Sequence, residues 1–272
     1  MKTRVMKALL AAALALPLSA KEETVATALY ARVSKDYKRE RLKDGSYQRE
    51  YYALSNGGRL DGTASDNSVE RVTYPEVAEI AQRLLTRQNY HYAQTGDQAR
   101  LLLVLNWGNT KVYNRENYEE ALKRGNTETE NQIRDQINED NARVLGYMDD
   151  LADSNDIRRL AGAGDRYTDL ITDVEAARYY IMISAYDFRE LARHNRRKLL
   201  WQVRVSVQTA GNRFDESLIP MLTSASKYFG RDSGRLVRIE ENKGSVELGD
   251  LKFLGEARDV PAAAAKPAAE KK

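Results

Sequence analysis

Apolar and polar residues alternate most regularly between Tyr179 and Gly211. Leu199, Trp201, Val203, Val205 and Val207 take every other position, with Gln202, Arg204, Ser206 and Gln208 between them. A period of two predicts a strand with one buried and one wet face. The preceding run, Tyr179 to Tyr186, is dense in β-branched and aromatic residues and predicts its antiparallel partner. Val174, Ala177, Ile181, Ala185 and Phe188 also fit helical spacing, so the strand reading rests on the Tyr and Ile density. The connection between the two runs is polar and basic, with Arg193, His194, Arg196, Arg197 and Lys198. A long hairpin is therefore the expected keel of the core.

Upstream, Glu23 to Tyr37 is mixed, with Val25, Leu29, Tyr30 and Val33 as inward candidates. Asp44-Gly45 suits a type I′ turn, whose two central residues need positive φ. Tyr47 to Leu54 predicts a strand, broken by Ser55-Asn56-Gly57-Gly58. Thr73 and Glu76 have capping-box spacing, and Pro75 suits the first helical turn, where its missing N–H has no partner to lose. Val77, Ile80, Ala81, Leu84 and Leu85 then form one apolar stripe. Leu101 to Leu105 is apolar on both faces, which predicts a central covered strand.

From Tyr113 to Asp173 the chain is charged, with sparse apolar positions. Ile133, Ile137 and Val144 make a narrow stripe, so residues 127–145 read as a largely solvated helix, and another is expected from Asp165 to about Ala177. Residues 113–173 are thus expected as a helical insertion between two core strands. Phe214 to Phe229 shows helical spacing with Pro220 expected to kink or restart it. Leu236 to Ile239 and Ser245 to Phe253 suggest closing strands, and residues 256–272 a disordered Ala/Pro/Lys tail.

Composition adds a compartment. Lys2, Arg4 and Lys7 precede the apolar run Ala8 to Leu18 and the small residues Ser19-Ala20, the pattern of a secretory signal peptide over residues 1–20. The run is too short for a permanent membrane span. The absence of cysteine rules out a lipid anchor on such a residue, so the mature chain is expected in the periplasm and not as a lipoprotein. The formal charge is +3, and the three leader cations account for it. A global field that would gather nucleic acid is therefore not expected.

Candidate chemistry is sparse. Ser224-Ala225-Ser226-Lys227 matches the S-x-x-K pattern of serine acyltransferases, in which a lysine one turn away takes the serine proton. The companion S-D-N and K-T-G motifs are missing. Gly162-Ala163-Gly164 lacks the third glycine and preceding strand of a dinucleotide loop. His91 and His194 stand apart, with no cysteine to complete a zinc site. Asp149, Asp150, Asp153 and Asp156 lack the spacing of a calcium loop. No metal and no cofactor is expected. The sixteen tyrosines suit strands as readily as binding surfaces. Arg193, Arg196, Arg197 and Lys198 remain as the expected contact surface at the hairpin tip.

The order of a capped helix, an apolar strand ending Trp107-Gly108-Asn109-Thr110, a return strand with Leu199-Leu200-Trp201, and a helix ending Tyr228-Phe229-Gly230-Arg231-Asp232-Ser233 carries a resemblance. It resembles exported, uncharacterised proteins of Gram-negative bacteria, distantly similar to small periplasmic or outer-membrane-associated domains of unknown function. The resemblance implies a periplasmic α+β sandwich and brings no catalytic residues. The expected fold is one α+β domain over residues 21–255, a mostly antiparallel sheet with the helices at Pro75 and Phe214 on one face. The expected function is non-enzymatic binding of an envelope protein or cell-wall component. The alternative is a wall hydrolase or acyltransferase built on Ser224 and Lys227.

Overall fold

In the computed structural model, residues 23–60, 62–63, 67–125, 127–161 and 165–243 are described. The proposed signal peptide, Gly162 to Gly164, the second closing strand and the tail lie outside them.

The keel forms as the alternation predicts. Strand β5 (Arg178–Asp187) pairs antiparallel with β6 (Leu199–Gln208), Tyr179 opposite Val207 and Ile183 opposite Val203. β-Branched and aromatic side chains pack well on a pleated surface, which decides this segment against helix. The register shifts between Ala185 and Tyr186, and beyond that bulge Leu199 turns out to solvent while Leu200 joins the core.

Around the hairpin, the described residues form a seven-stranded sheet in the order β3-β2-β4-β5-β6-β1-β7. The remaining strands are β1 (Thr24–Val33), β2 (Glu50–Leu60), β3 (Tyr90–Tyr92), β4 (Leu101–Asn109) and β7 (Val237–Asn242). Four of the six pairings are antiparallel; β2 runs parallel to both β3 and β4. The fold class is α+β.

Three sequence expectations are corrected here. Ser55 to Gly58 does not end β2. The strand continues, and Gly57 is the extra residue between Asn56 and Gly58, where the register against β4 shifts. A side chain at position 57 would have to displace the Asn106 side chain packed against it. Asp44-Gly45 is not a type I′ turn, because only Gly45 takes a positive φ, 82°. The Asp44 carboxylate instead accepts the Ser46 N–H and hydroxyl. Pro220 does not restart its helix, which runs unbroken from Phe214 to Ser226.

Helix α1 (Tyr74–Arg87) starts at the Thr73 capping box, where the Thr73 N–H and hydroxyl both donate to Glu76. Helices α1 and α7 (Phe214–Ser226) cover one face of the sheet and enclose the main core with Leu54, Leu103, Ile181, Trp201, Val205 and Phe229. Between β4 and β5 come α2 (Arg115–Lys123), α3 (Glu130–Leu145), α4 (Met148–Ala161) and α5 (Asp165–Glu175). Their buried residues, Ala142, Leu145, Leu170 and Val174, cluster with Ala28 of β1 and Tyr180 of β5 on the opposite face. The polar face of β6 is therefore partly covered: Ser206 is buried beneath the insertion, while Gln208 is exposed. A short helix, α6 (Phe188–His194), interrupts the basic connection and is capped by Asp187, which accepts the N–H groups of Arg189 and Glu190.

Candidate functional site

Ser224 lies on the side of α7 turned toward β1 and β7. Its hydroxyl is 2.9 Å from that of Thr27 and donates to Glu241 at 3.3 Å, and the residue is 0% exposed. Lys227 forms an ion pair with the same Glu241 carboxylate. Serine and lysine thus meet a shared acid. A nucleophile needs a base on its own proton and room for the attacked carbonyl. Ser224 has an acceptor for its proton in Glu241 but, being fully buried, no room for a carbonyl.

The other isolated candidates separate as well. His91 sits near Tyr51 and 3.2 Å from the Asn89 side-chain oxygen; burial, with Arg49 nearby, holds its pKa below the usual histidine range. His194 is exposed and lies 3.4 Å from Glu190. Asp149 pairs with Arg32, while buried Asp150 accepts from Arg166 and from the Leu236 N–H, tying the insertion to the strand region beside β7. Among the described residues no group of three or more His, Cys, Asp or Glu is arranged to hold a metal ion. No described helix is long and apolar enough to cross a membrane.

The basic connection divides into engaged and unengaged cations. Arg196 sends two nitrogens to Glu190, at 3.0 and 2.6 Å, and this bonding holds the Glu190 carboxyl below its ordinary range. Lys198 pairs with Asp36 at 3.0 Å. Arg193 and Arg197 are exposed and, among the described residues, have no carboxylate partner. They have company that the linear order hides. Strands β2, β4 and β6 all begin at this end of the sheet, while β1 and β5 end there. That topology brings Arg49, Arg100 and Arg189 to the same pole, around a hollow of about 180 Å³ that Glu40 and Glu50 also line. Arg100 approaches Glu50 at 3.9 Å, whereas exposed Arg49 and Arg189 meet no carboxylate among the described residues.

Five exposed arginines thus stand at one end of a nearly neutral chain; of the neighbouring acids, Asp36, Asp187, Glu190 and Glu50 are committed to a cation, a helix cap or a tyrosine hydroxyl, and Glu40 stays at the rim of the hollow. Guanidinium groups grip carboxylates and phosphates through paired N–H donors, so the pole can bind an acidic surface. Arg49 and Arg100 each immediately precede a strand, which is the only local sign of their position.

No protein-family model matches the chain, and none of the curated proteins does. Among solved structures it is similar to a PDZ domain protein from Parabacteroides distasonis ATCC 8503, at 13% identity and a TM-score of 0.38. That match covers 80% of this chain and 39% of the other, so the chain spans about two fifths of its length.

Proposed function

We propose that this chain is a non-enzymatic, exported protein of the cell envelope that binds an acidic protein or cell-wall component through its arginine pole. The observation that carries the proposal is the set Arg49, Arg189, Arg193 and Arg197, exposed and without carboxylate partners among the described residues. Keeping like charges together gains little stability, and binding an anionic partner gives such a cluster a use. Export and a periplasmic location rest on the charged start and apolar run of residues 1–20. Burial of Ser224 argues for binding over acyl transfer.

The experiment is capture from envelope extracts with the parent and the variant Arg189→Ser/Arg193→Ser/Arg197→Ser. Arg196 and Lys198 are left in place because they serve internal ion pairs. Exposed charges are screened within about 10 Å at 0.1 M salt, so a partner held by the pole is recovered at low salt, is released as salt rises, and escapes the variant. A folded variant that keeps every partner of the parent refutes the proposal.

A further inference from the structure

A second cationic feature lies at the same end of the sheet as the arginine pole, on the helix-covered face. The C-terminal ends of α1 and α7 and the loop carrying Tyr47 enclose an open cleft of about 580 Å³, within the range of small-molecule sites. Tyr47, Arg87, Asn89, Thr223, Lys227 and Arg231 line it, and no acidic residue does. Lys227 is held by Glu241, and the adjoining end of α7 has a use for its charge. Arg87 likewise complements the end of α1. Arg231 serves no helix end, and neither Arg87 nor Arg231 has a carboxylate partner among the described residues.

Two further arginines, Arg39 and Arg41, stand behind the cleft around Tyr47, with the buried Glu50 carboxylate beyond Tyr37 and Tyr90. Buried Arg39 is stacked between the rings of Tyr47 and Tyr90, its guanidinium 4.1 and 4.0 Å from their centroids. One of its nitrogens donates to the Gln88 carbonyl at 2.6 Å; Nε and Nη1 have no hydrogen-bond partner. Arg41 donates to the Tyr47 hydroxyl at 3.0 Å, and Arg231 lies 5.2 Å from the same ring. Three guanidinium groups therefore surround one phenol. Partial burial raises its pKa, but Arg231 and Arg41 together outweigh that and hold it below the usual tyrosine range. Asn89, at φ 65°, donates to the Tyr47 carbonyl at 2.7 Å and pins the loop to the end of α1.

We propose that this cleft binds a small molecule through an oxyanion, a carboxylate or a phosphate, gripped by Arg87 and Arg231 beside the Tyr47 ring. An anion placed there relieves repulsion among cations that the fold itself leaves uncompensated, and both arginines offer paired N–H donors of the required geometry.

The test is an NMR titration of the full chain at low salt with inorganic phosphate and, separately, with succinate. Saturable shifts centred on Tyr47, Gln88 and Asn89 with either probe, weakened at least about tenfold by Arg231→Gln and by Arg87→Gln and unchanged by Arg189→Gln, support the site. Phosphate alone then identifies a phosphate ester as the ligand class, and succinate alone a carboxylate. Absence of saturable shifts with both probes, or equal affinity in the parent and both cleft variants, overturns it. The Arg189→Gln control keeps this outcome separate from that of the arginine pole.

Discussion

Replacing Asp173 by alanine should destabilise the whole domain, because one carboxylate joins three parts of the fold. Asp173 projects from α5 of the insertion and is buried. It accepts from Arg178 Nη1 at 2.9 Å and pairs with Arg238 of β7 at 2.8 Å. Arg178 opens β5, is 2% exposed, and gives its Nε to the Ser206 hydroxyl. Without Asp173, the Arg178 guanidinium stays desolvated with no counter-charge, a change that costs about 3–5 kcal/mol. Arg238 is more than half exposed, so Arg238→Ala should cost about 1 kcal/mol or less. Against a domain stability of about 5–15 kcal/mol, the first loss is large. Urea unfolding is the assay, followed by far-UV circular dichroism and by fluorescence of Trp107 and Trp201, both buried in the main core. With a slope of roughly 2–3 kcal/mol/M, the midpoint of Asp173→Ala should fall by roughly 1–2.5 M on both probes together. Asp173→Leu combined with Arg178→Met should recover much of it, since no buried charge is then left unpaired and Arg238 is more than half exposed. A midpoint shift worth under about 1 kcal/mol would refute the reasoning. So would a dichroism transition that leaves tryptophan fluorescence unchanged, because the insertion would then be unfolding by itself.

Two further outcomes follow from burial. Ser224→Ala should cost about 1 kcal/mol, the worth of a hydrogen bond, and a serine-reactive covalent probe should leave the folded parent unlabelled; labelling of the parent that is lost in Ser224→Ala would restore the acyltransferase reading. Burial first of all raises the pKa of the Tyr37, Tyr52, Tyr90 and Tyr147 hydroxyls above their ordinary value of 10.0. The folded state thus keeps these protons when the unfolded chain loses them, so the stability they contribute is whole below about pH 10 and is lost as pH climbs higher. Absorbance at 295 nm should show these phenols ionising only together with loss of the dichroism signal. Smooth ionisation of all sixteen tyrosines near their ordinary value, with native dichroism retained, would contradict the packing.

The elements legible in the sequence are those written by local chemistry. The Thr73 capping box and Pro75 place the start of α1, and the Tyr/Ile density of residues 179–186 with the valines of β6 places the hairpin. Less legible were elements whose identity comes from what covers them. In β1, the alanines 26, 28 and 31 blur the contrast between faces, although Val25, Leu29 and Ala31 reach the main core. Helix α4 has apolar residues, but their spacing makes almost no stripe. The polar side of β6 reads as solvent-facing until the insertion closes over Ser206 and Arg178. The candidate surface was legible only in its continuous part. Arg193 and Arg197 are near neighbours in the chain, whereas Arg49 and Arg100 share their end of the sheet because three strands begin there.

Binding through the arginine pole is tested most directly by photo-crosslinking in cells, with a benzophenone amino acid in place of Arg193 and, as a control, of exposed Ile157 on α4. Position 193 should yield a discrete adduct with an envelope component, weakened by Arg189→Ser/Arg197→Ser, while position 157 yields none. No adduct from position 193, or an adduct there that is indifferent to those two arginines, would contradict the account.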